Sequence, residues 1–207
     1  MSIYDKVNVS VSRRHFLIGA SLTSAGLVFG LRPSISSAAP AGFEPNPFIR
    51  IPADGKIVLI MPAAEMGQGI YTAIAMLLAE ELEVPLDQVV LEHAPADPSR
   101  YANPLLGDQI TGGSLSIRGV YEQMRKAGAS ARMMLINTAA RGWDVAPDTC
   151  TAEAGEVVHA ASGRSAAYGS LIRAAAAETV PQDVPLKPAS SFKVIGQAIR
   201  RLSLIHI

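Results

Sequence analysis

Glu65-Met66-Gly67-Gln68-Gly69, with Thr72 shortly after, sets two glycines around one side-chain amide where an apolar run gives way to helical spacing. Glycine adopts positive φ without a Cβ clash, so Gly67 and Gly69 permit a sharp turn and a close backbone approach to a ligand. Gln68 carries a donor and an acceptor on one side chain. Ile70, Ile74, Leu77, Leu78 and Leu82 then follow at the spacing of one helix face. A helix that begins after Gly69 turns its unpaired N–H groups toward Gln68, an arrangement suited to an oxyanion. Glu65 is read as a structural hydrogen-bond acceptor behind the turn. A glycine-rich turn with an exposed glutamine and no ligand would carry the same residues.

Thr111-Gly112-Gly113-Ser114-Leu115-Ser116 is the second candidate. It combines hydroxyls, glycines and an expected helix start, with Ser114 or Ser116 as N-cap. Exposed N–H groups and hydroxyls together suit a phosphate. No Lys-Ser or Lys-Thr pair follows the glycines, so this is not a Walker-type loop. A capped loop-to-helix junction without a ligand reads the same way. Arg118 is expected in the first turn of the helix, within reach of a phosphate or paired with an acid. Arg118, Arg125 and Arg132 recur every seven residues, and the last two are expected at a surface or interface. Glu80, Glu81 and Glu83 are expected to form a solvated helix face rather than a general-base pair.

Composition narrows the classes. Lys+Arg and Asp+Glu are both 18, so no net field favours nucleic acid. Aromatic content is 5%, which argues against base-stacking surfaces. Cys150 is the only cysteine, so it forms no internal disulfide and cannot hold an iron–sulfur cluster, which needs four ligands. His93 and His159 are too far apart in the chain for metal-ligand spacing. A metal here would have to arrive with an organic cofactor.

The elements that position these residues alternate between strand and helix. Phe43 to Pro47 reads as a linker. Phe48–Ile51 and Lys56–Met61 read as strands joined at Asp54-Gly55, a hairpin signal. The first motif and its helix follow, Pro85 ends that region, and Val89–His93 reads as the next strand. Ala94 to Gly113 is a long loop, and loops of such length are often functional. Ile117 to Arg141 is the expected long helix, Thr149–Ala152 and Val157–Ala160 a hairpin around Gly155, and Tyr168–Glu178 an alanine-rich helix. The whole is an α/β (α+β) mixed fold: two long helices with short strands and hairpins.

The two ends differ from the middle. Arg13-Arg14-His15-Phe16-Leu17, an uncharged stretch to Leu31, and Ala39-Pro40-Ala41 form a twin-arginine (Tat) signal peptide over residues 1–41 with an A-x-A cleavage site. The stretch is short and weakly apolar beside the roughly 20 strongly apolar residues of a membrane span, so export to the periplasm is favoured over a retained anchor. Residues 202–207, Leu-Ser-Leu-Ile-His-Ile, match the translation of an end sequence that transposase-based DNA libraries add to fragments. They are expected to be a non-native tail. Setting aside that leader and tail leaves about 160 residues, 42–201, one domain's worth.

Taken with the twin-arginine start and Ile195-Gly196-Gln197-Ala198-Ile199-Arg200-Arg201-Leu202, the two motifs resemble the molybdenum hydroxylases, the xanthine dehydrogenase and aldehyde oxidase family. The closer likeness is to the molybdopterin-binding large subunit of the isoquinoline 1-oxidoreductase beta-subunit type. It runs from about Asn46 to Arg201 and covers the first part of a longer subunit. The resemblance implies that residues 42–201 are the N-terminal part of a molybdopterin cofactor-binding domain. It implies a molybdenum-carrying pterin, in the cytosine dinucleotide form, that oxidises an aldehyde or N-heteroaromatic carbon with water as oxygen source. Gln68 would orient a molybdenum ligand. Gly67, Gln68, Gly69, Thr72, Thr111, Gly112, Gly113, Ser114 and Ser116 would hold the cofactor. Electrons would leave through an iron–sulfur small subunit, with a cytochrome c as acceptor. The family's general-base glutamate lies near the far end of the subunit and has no match here, so this chain alone is expected to be inactive. The alternative is a non-catalytic exported domain that binds phosphate or a nucleotide at the same two loops.

Overall fold

The computed structural model describes residues 42–52, 54–181 and 183–202. The expected signal peptide, residues 1–41, and positions 203–207 of the expected tail lie outside the described residues. Among the described residues no helix is long and apolar enough to cross a membrane.

A four-stranded sheet has the order β1 (Gly42–Asn46), β2 (Ile49–Pro52), β3 (Ile57–Met61), β4 (Val89–His93). β1 with β2 and β2 with β3 are antiparallel, whereas β4 lies parallel to β3, with Ile57 opposite Val89 and Met61 opposite His93. A parallel neighbour needs a crossover, and helix α1 (Ile70–Leu82) supplies it. β3 is buried at every position, which accounts for its unbroken Ile-Val-Leu-Ile-Met run. The short helix α2 (Pro98–Tyr101) interrupts the long loop after β4, capped by the Asp97 carboxylate, which accepts from Ser99 N at 3.1 Å.

Helix α3 (Tyr121–Trp143) packs along α1. A Cβ at Gly128 would stand 2.6 Å from the Leu78 carbonyl oxygen and 2.9 Å from Glu81 Cβ, so glycine is what lets the two helices meet. A second, antiparallel sheet runs β5 (Thr151–Glu153), β6 (Glu156–His159), β7 (Arg164–Ala167), and leads into α4 (Tyr168–Ala175). Tyr168 is buried and donates to the Leu82 carbonyl at 2.7 Å. From Lys187 to Leu202 the chain carries only a 3-10 turn, Ala189–Ser191, and lies as a strap along α1. The fold is mixed helix and sheet, as its alternating runs indicate.

Three local expectations are corrected. Phe43–Pro47 is largely strand: Phe43 and Pro45 are buried on one face while Glu44 is exposed. The Asn46 side chain then accepts from Phe48 N at 3.0 Å and forms the turn into β2. The long helix begins at Tyr121, so neither Ser114 nor Ser116 is its N-cap, and Arg118 lies before its first turn. Ser114 has φ 55°, a left-handed conformation and not the β-region backbone from which a serine side chain caps a helix. Finally, Glu80 and Glu81 are 1% and 0% exposed and not a solvated face. Their carboxylates meet groups brought by α3 and by the strap.

Candidate functional site

β3 ends at Met61, and the chain turns through Gly67 (φ 97°) and Gly69 (φ 87°) into α1. Glu65 occupies the inside of this turn. One carboxylate oxygen accepts from Gly67 N at 2.8 Å and Gly69 N at 2.9 Å, and the other from Tyr71 N at 3.1 Å. Negative charge at a helix N-terminus is favourable, so the oxyanion expected there is supplied in part by the chain itself. Gln68 folds back on its loop: its carbonyl accepts from Met66 N at 2.5 Å and its amide donates to the Ala64 carbonyl at 2.8 Å. A primary amide has two N–H groups, so one remains for a ligand.

The second loop is tied to the first by Thr111, whose Oγ1 accepts from Ala64 N at 2.8 Å. Gly113 (φ 62°) and Ser114 (φ 55°) are consecutive left-handed residues that reverse the chain. Buried Asn103 braces this loop. Its Nδ2 donates to the Leu115 carbonyl at 2.9 Å, and its Oδ1 accepts from Leu105 N at 3.0 Å. A Cβ at Gly119 would stand 2.0 Å from that Oδ1, which leaves only glycine there.

Between the loops lies a cleft of about 250 Å³ lined by Gln68, Gly69, Ile70, Ala73, Ser114, Ser116 and Ile117. Its rim offers hydroxyls and an amide, and its lining carries no carboxylate. The N–H groups of Gln68 and Ile70 donate to no acceptor among the described residues. The cleft is largely apolar and free of carboxylates, with hydroxyl and amide groups at its rim, which suits a ligand apolar on one side and oxygen-rich on the other. Thr111 itself faces a neighbouring hollow shared with Ala64, His93, Asp108 and Gln109. Thr72 is buried, and its hydroxyl accepts from Leu202 N at 2.8 Å, so it serves the strap rather than the cleft. Gly67, Gly112 and Gly113 shape the loops without lining the cleft. Arg118 is exposed.

The carboxylates of α1 hold the strap. Glu80 accepts from the backbone N–H groups of Lys193, Val194 and Ile195 at 2.9, 2.7 and 3.0 Å and pairs with the Lys187 ammonium. Glu81 accepts from Arg125 Nε and Nη2 at 2.9 and 2.6 Å and from Lys187 N at 3.2 Å, with Arg132 at 3.6 Å. Arg125 is therefore a buried partner and not a surface residue. Burial raises the Glu80 pKa, but the Lys187 hydrogen bond and the three N–H donors outweigh it, and the carboxyl sits below its usual range. At the other end of the strap, Arg201 donates to the Gly67 carbonyl. Among the described residues no group of three His, Cys, Asp or Glu could hold a metal ion.

Sequence reasoning missed Asn103, Arg201 and the anchoring carboxylates. For Glu81 a signal existed: it lies three residues after Leu78 and four after Leu77, within the apolar stripe, where a charge is buried only if paired.

A family model described as a molybdopterin cofactor-binding domain matches residues 12–201. The chain is 39% identical over 184 residues to the isoquinoline 1-oxidoreductase subunit beta of Brevundimonas diminuta, covering 86% of this chain and 23% of that protein. It is 32% identical over 204 residues to the membrane-bound aldehyde dehydrogenase (pyrroloquinoline-quinone) of Gluconacetobacter polyoxogenes, covering 91% and 25%. Among solved structures, a Cu,Mo-CO dehydrogenase aligns with TM-score 0.48 and 22% identity over 59% of this chain and 15% of that one. The chain thus spans about a quarter of the length of these curated relatives.

Proposed function

The chain belongs to the molybdopterin cofactor-binding family, and on that premise we propose that it is a segment of the large subunit of an exported molybdenum hydroxylase. The complete subunit would oxidise an aldehyde or an N-heteroaromatic carbon with water as oxygen source. The observation that carries this reading is the cleft that sets Gln68 and Gly69 opposite Ser114 and Ser116, with the two loops tied through Thr111 and Ala64.

When bound, the molybdenum pterin supplies the redox chemistry that these side chains lack. The chain's own residues bind and orient. Gln68 offers its remaining amide N–H to an oxygen ligand. Gly67 and Gly69, both at positive φ, allow the sharp turn that brings Gln68 to the cleft. Ser114 and Ser116, with the backbone N–H groups of Gln68 and Ile70, offer donors to the phosphate part of a dinucleotide form, which we take to be the cytosine one. Ile70, Ala73 and Ile117 provide the apolar wall that excludes water.

In this reading residues 1–41 are a Tat leader removed on export to the periplasm. Residues 202–207 are a non-native tail, and an iron–sulfur small subunit takes the electrons, with a cytochrome c beyond it. The deciding experiment is metal and pterin analysis of the complete subunit purified with its partner. Stoichiometric molybdenum and a pterin dinucleotide are expected. A bound phosphate or nucleotide without molybdenum would favour the non-catalytic binding domain instead.

A further inference from the structure

The strap reaches the first loop through Arg201. Gly67 has both of its backbone polar groups held by opposite charges: its N–H by the Glu65 carboxylate at 2.8 Å, its carbonyl by the Arg201 guanidinium. Packing does not hold this residue, since no atom lies within 4 Å of where a Cβ would stand. The guanidinium also covers Gly69, with Nε 3.6 Å and Cζ 3.7 Å from the position of a Cβ there. The backbone of the next residue is fixed in turn, because the N–H at position 202, a donor that does not depend on which side chain the tail places there, donates to the Thr72 hydroxyl of α1. Arg201 is therefore placed from the helix that follows the turn it contacts.

The consequence lies in the peptide plane. The Gly67–Gln68 peptide is trans and planar, so its carbonyl and the Gln68 N–H point in opposite directions. A hydrogen bond that pins the carbonyl also sets the Gln68 N–H and the start of the Gln68 side chain. Glu65 holds the N–H groups of Gly67 and Gly69, the Gln68 side chain closes on Met66 and Ala64, and Arg201 adds the contact to the carbonyl of this peptide. We propose that Arg201 is a positioning residue that sets the Gly67–Gln68 peptide, so that the strap holds Gln68 in place across the cleft from Ser114 and Ser116. The proposal rests on the functional reading above only for what occupies the cleft.

Amide hydrogen exchange on the 207-residue chain tests it, with wild type, Arg201→Ala and Arg201→Lys compared. Arg201→Ala is expected to speed exchange of the hydrogen-bonded amides within residues 65–71, those of Met66, Gly67, Gly69 and Tyr71, by about tenfold or more, with Val194 and Ile195 and the thermal midpoint unchanged. Arg201→Lys, which retains a cationic donor for the carbonyl, is expected to recover most of that protection. In the cofactor-loaded enzyme Arg201→Ala is expected to lower kcat by about tenfold with KM unchanged. Wild-type exchange at 65–71 in Arg201→Ala would overturn the proposal, as would acceleration spread over the whole chain or loss of folding. Absence of molybdenum from the wild-type enzyme would sink the functional reading alone, because the exchange result judges Arg201 without any cofactor.

Discussion

The carboxylate of Glu80 closes on the backbone N–H of Val194 at 2.7 Å, across 114 residues of chain. Lys193, Ile195 and the Lys187 ammonium complete the same cage. Replacing Glu80 with Gln keeps the volume but removes one of the two carboxylates that Lys187 pairs with, leaving Glu83 at 2.8 Å, and turns an NH₂ toward N–H donors. Hydrogen bonds to a charged group contribute about 1.5–3 kcal/mol, and a destabilisation of that order is expected in urea titrations at neutral pH. A loss below about 1 kcal/mol would place the carboxylate in water instead.

The same cage makes stability depend on pH with a definite sign. Burial pushes the Glu80 carboxyl up, but the Lys187 hydrogen bond and the three backbone N–H donors hold it below the ordinary glutamate value of about 4.5 in the folded chain. The unfolded state therefore binds the proton more readily, and the contribution is complete above about pH 4.5. It is lost as pH falls below 4.5 through the folded value. The stability gap between wild type and Glu80→Gln is expected to shrink across that acid window and stay constant above it. A gap that widened on acidification would contradict the arrangement.

Gln68→Ala in the complete enzyme is expected to lower turnover far more than cofactor content. One orienting donor can be worth on the order of a hundredfold in rate, whereas the backbone of both loops still holds the pterin. Steady-state kinetics beside molybdenum analysis checks this. Near-normal turnover at full metal occupancy would remove Gln68 from the mechanism.

Gly128→Ala is expected to destabilise the chain. Alanine gains about 1 kcal/mol of helix propensity over glycine. Against that, the new methyl would stand 2.6 Å from the Leu78 carbonyl oxygen, and overpacking of this kind costs about 1–3 kcal/mol. The contact is to backbone, which cannot step aside, so packing wins over propensity. A raised thermal midpoint would show that α1 and α3 separate freely.

Export is expected to depend on Arg13 and Arg14. Changing both to Lys in the complete protein should leave the periplasmic fraction empty while the cytoplasmic amount rises. An unchanged periplasmic amount would rule out the twin-arginine route. The 207-residue chain expressed alone is expected to show no aldehyde-dependent dye reduction, and measurable turnover with bound molybdenum would overturn that.

The parts of this protein legible in its sequence are those set by neighbours in the chain. The buried run of β3, the helical spacing of α1 and the two glycines of the first turn depend on local φ/ψ and side-chain period, which a few residues encode. The resemblance of the two motifs to one family was likewise readable, because each is a contiguous run. What only the tertiary structure decided is where polar groups find their partners. Glu80, Glu81 and Glu83 look solvated until the strap, over a hundred residues later, brings Lys187, Lys193 and three backbone N–H groups to them. Ser114 looks like a helix cap until Asn103 and Gly119 fix the loop around it. A buried charge is stable only where its partner arrives, and no local pattern specifies a partner that is distant in the chain.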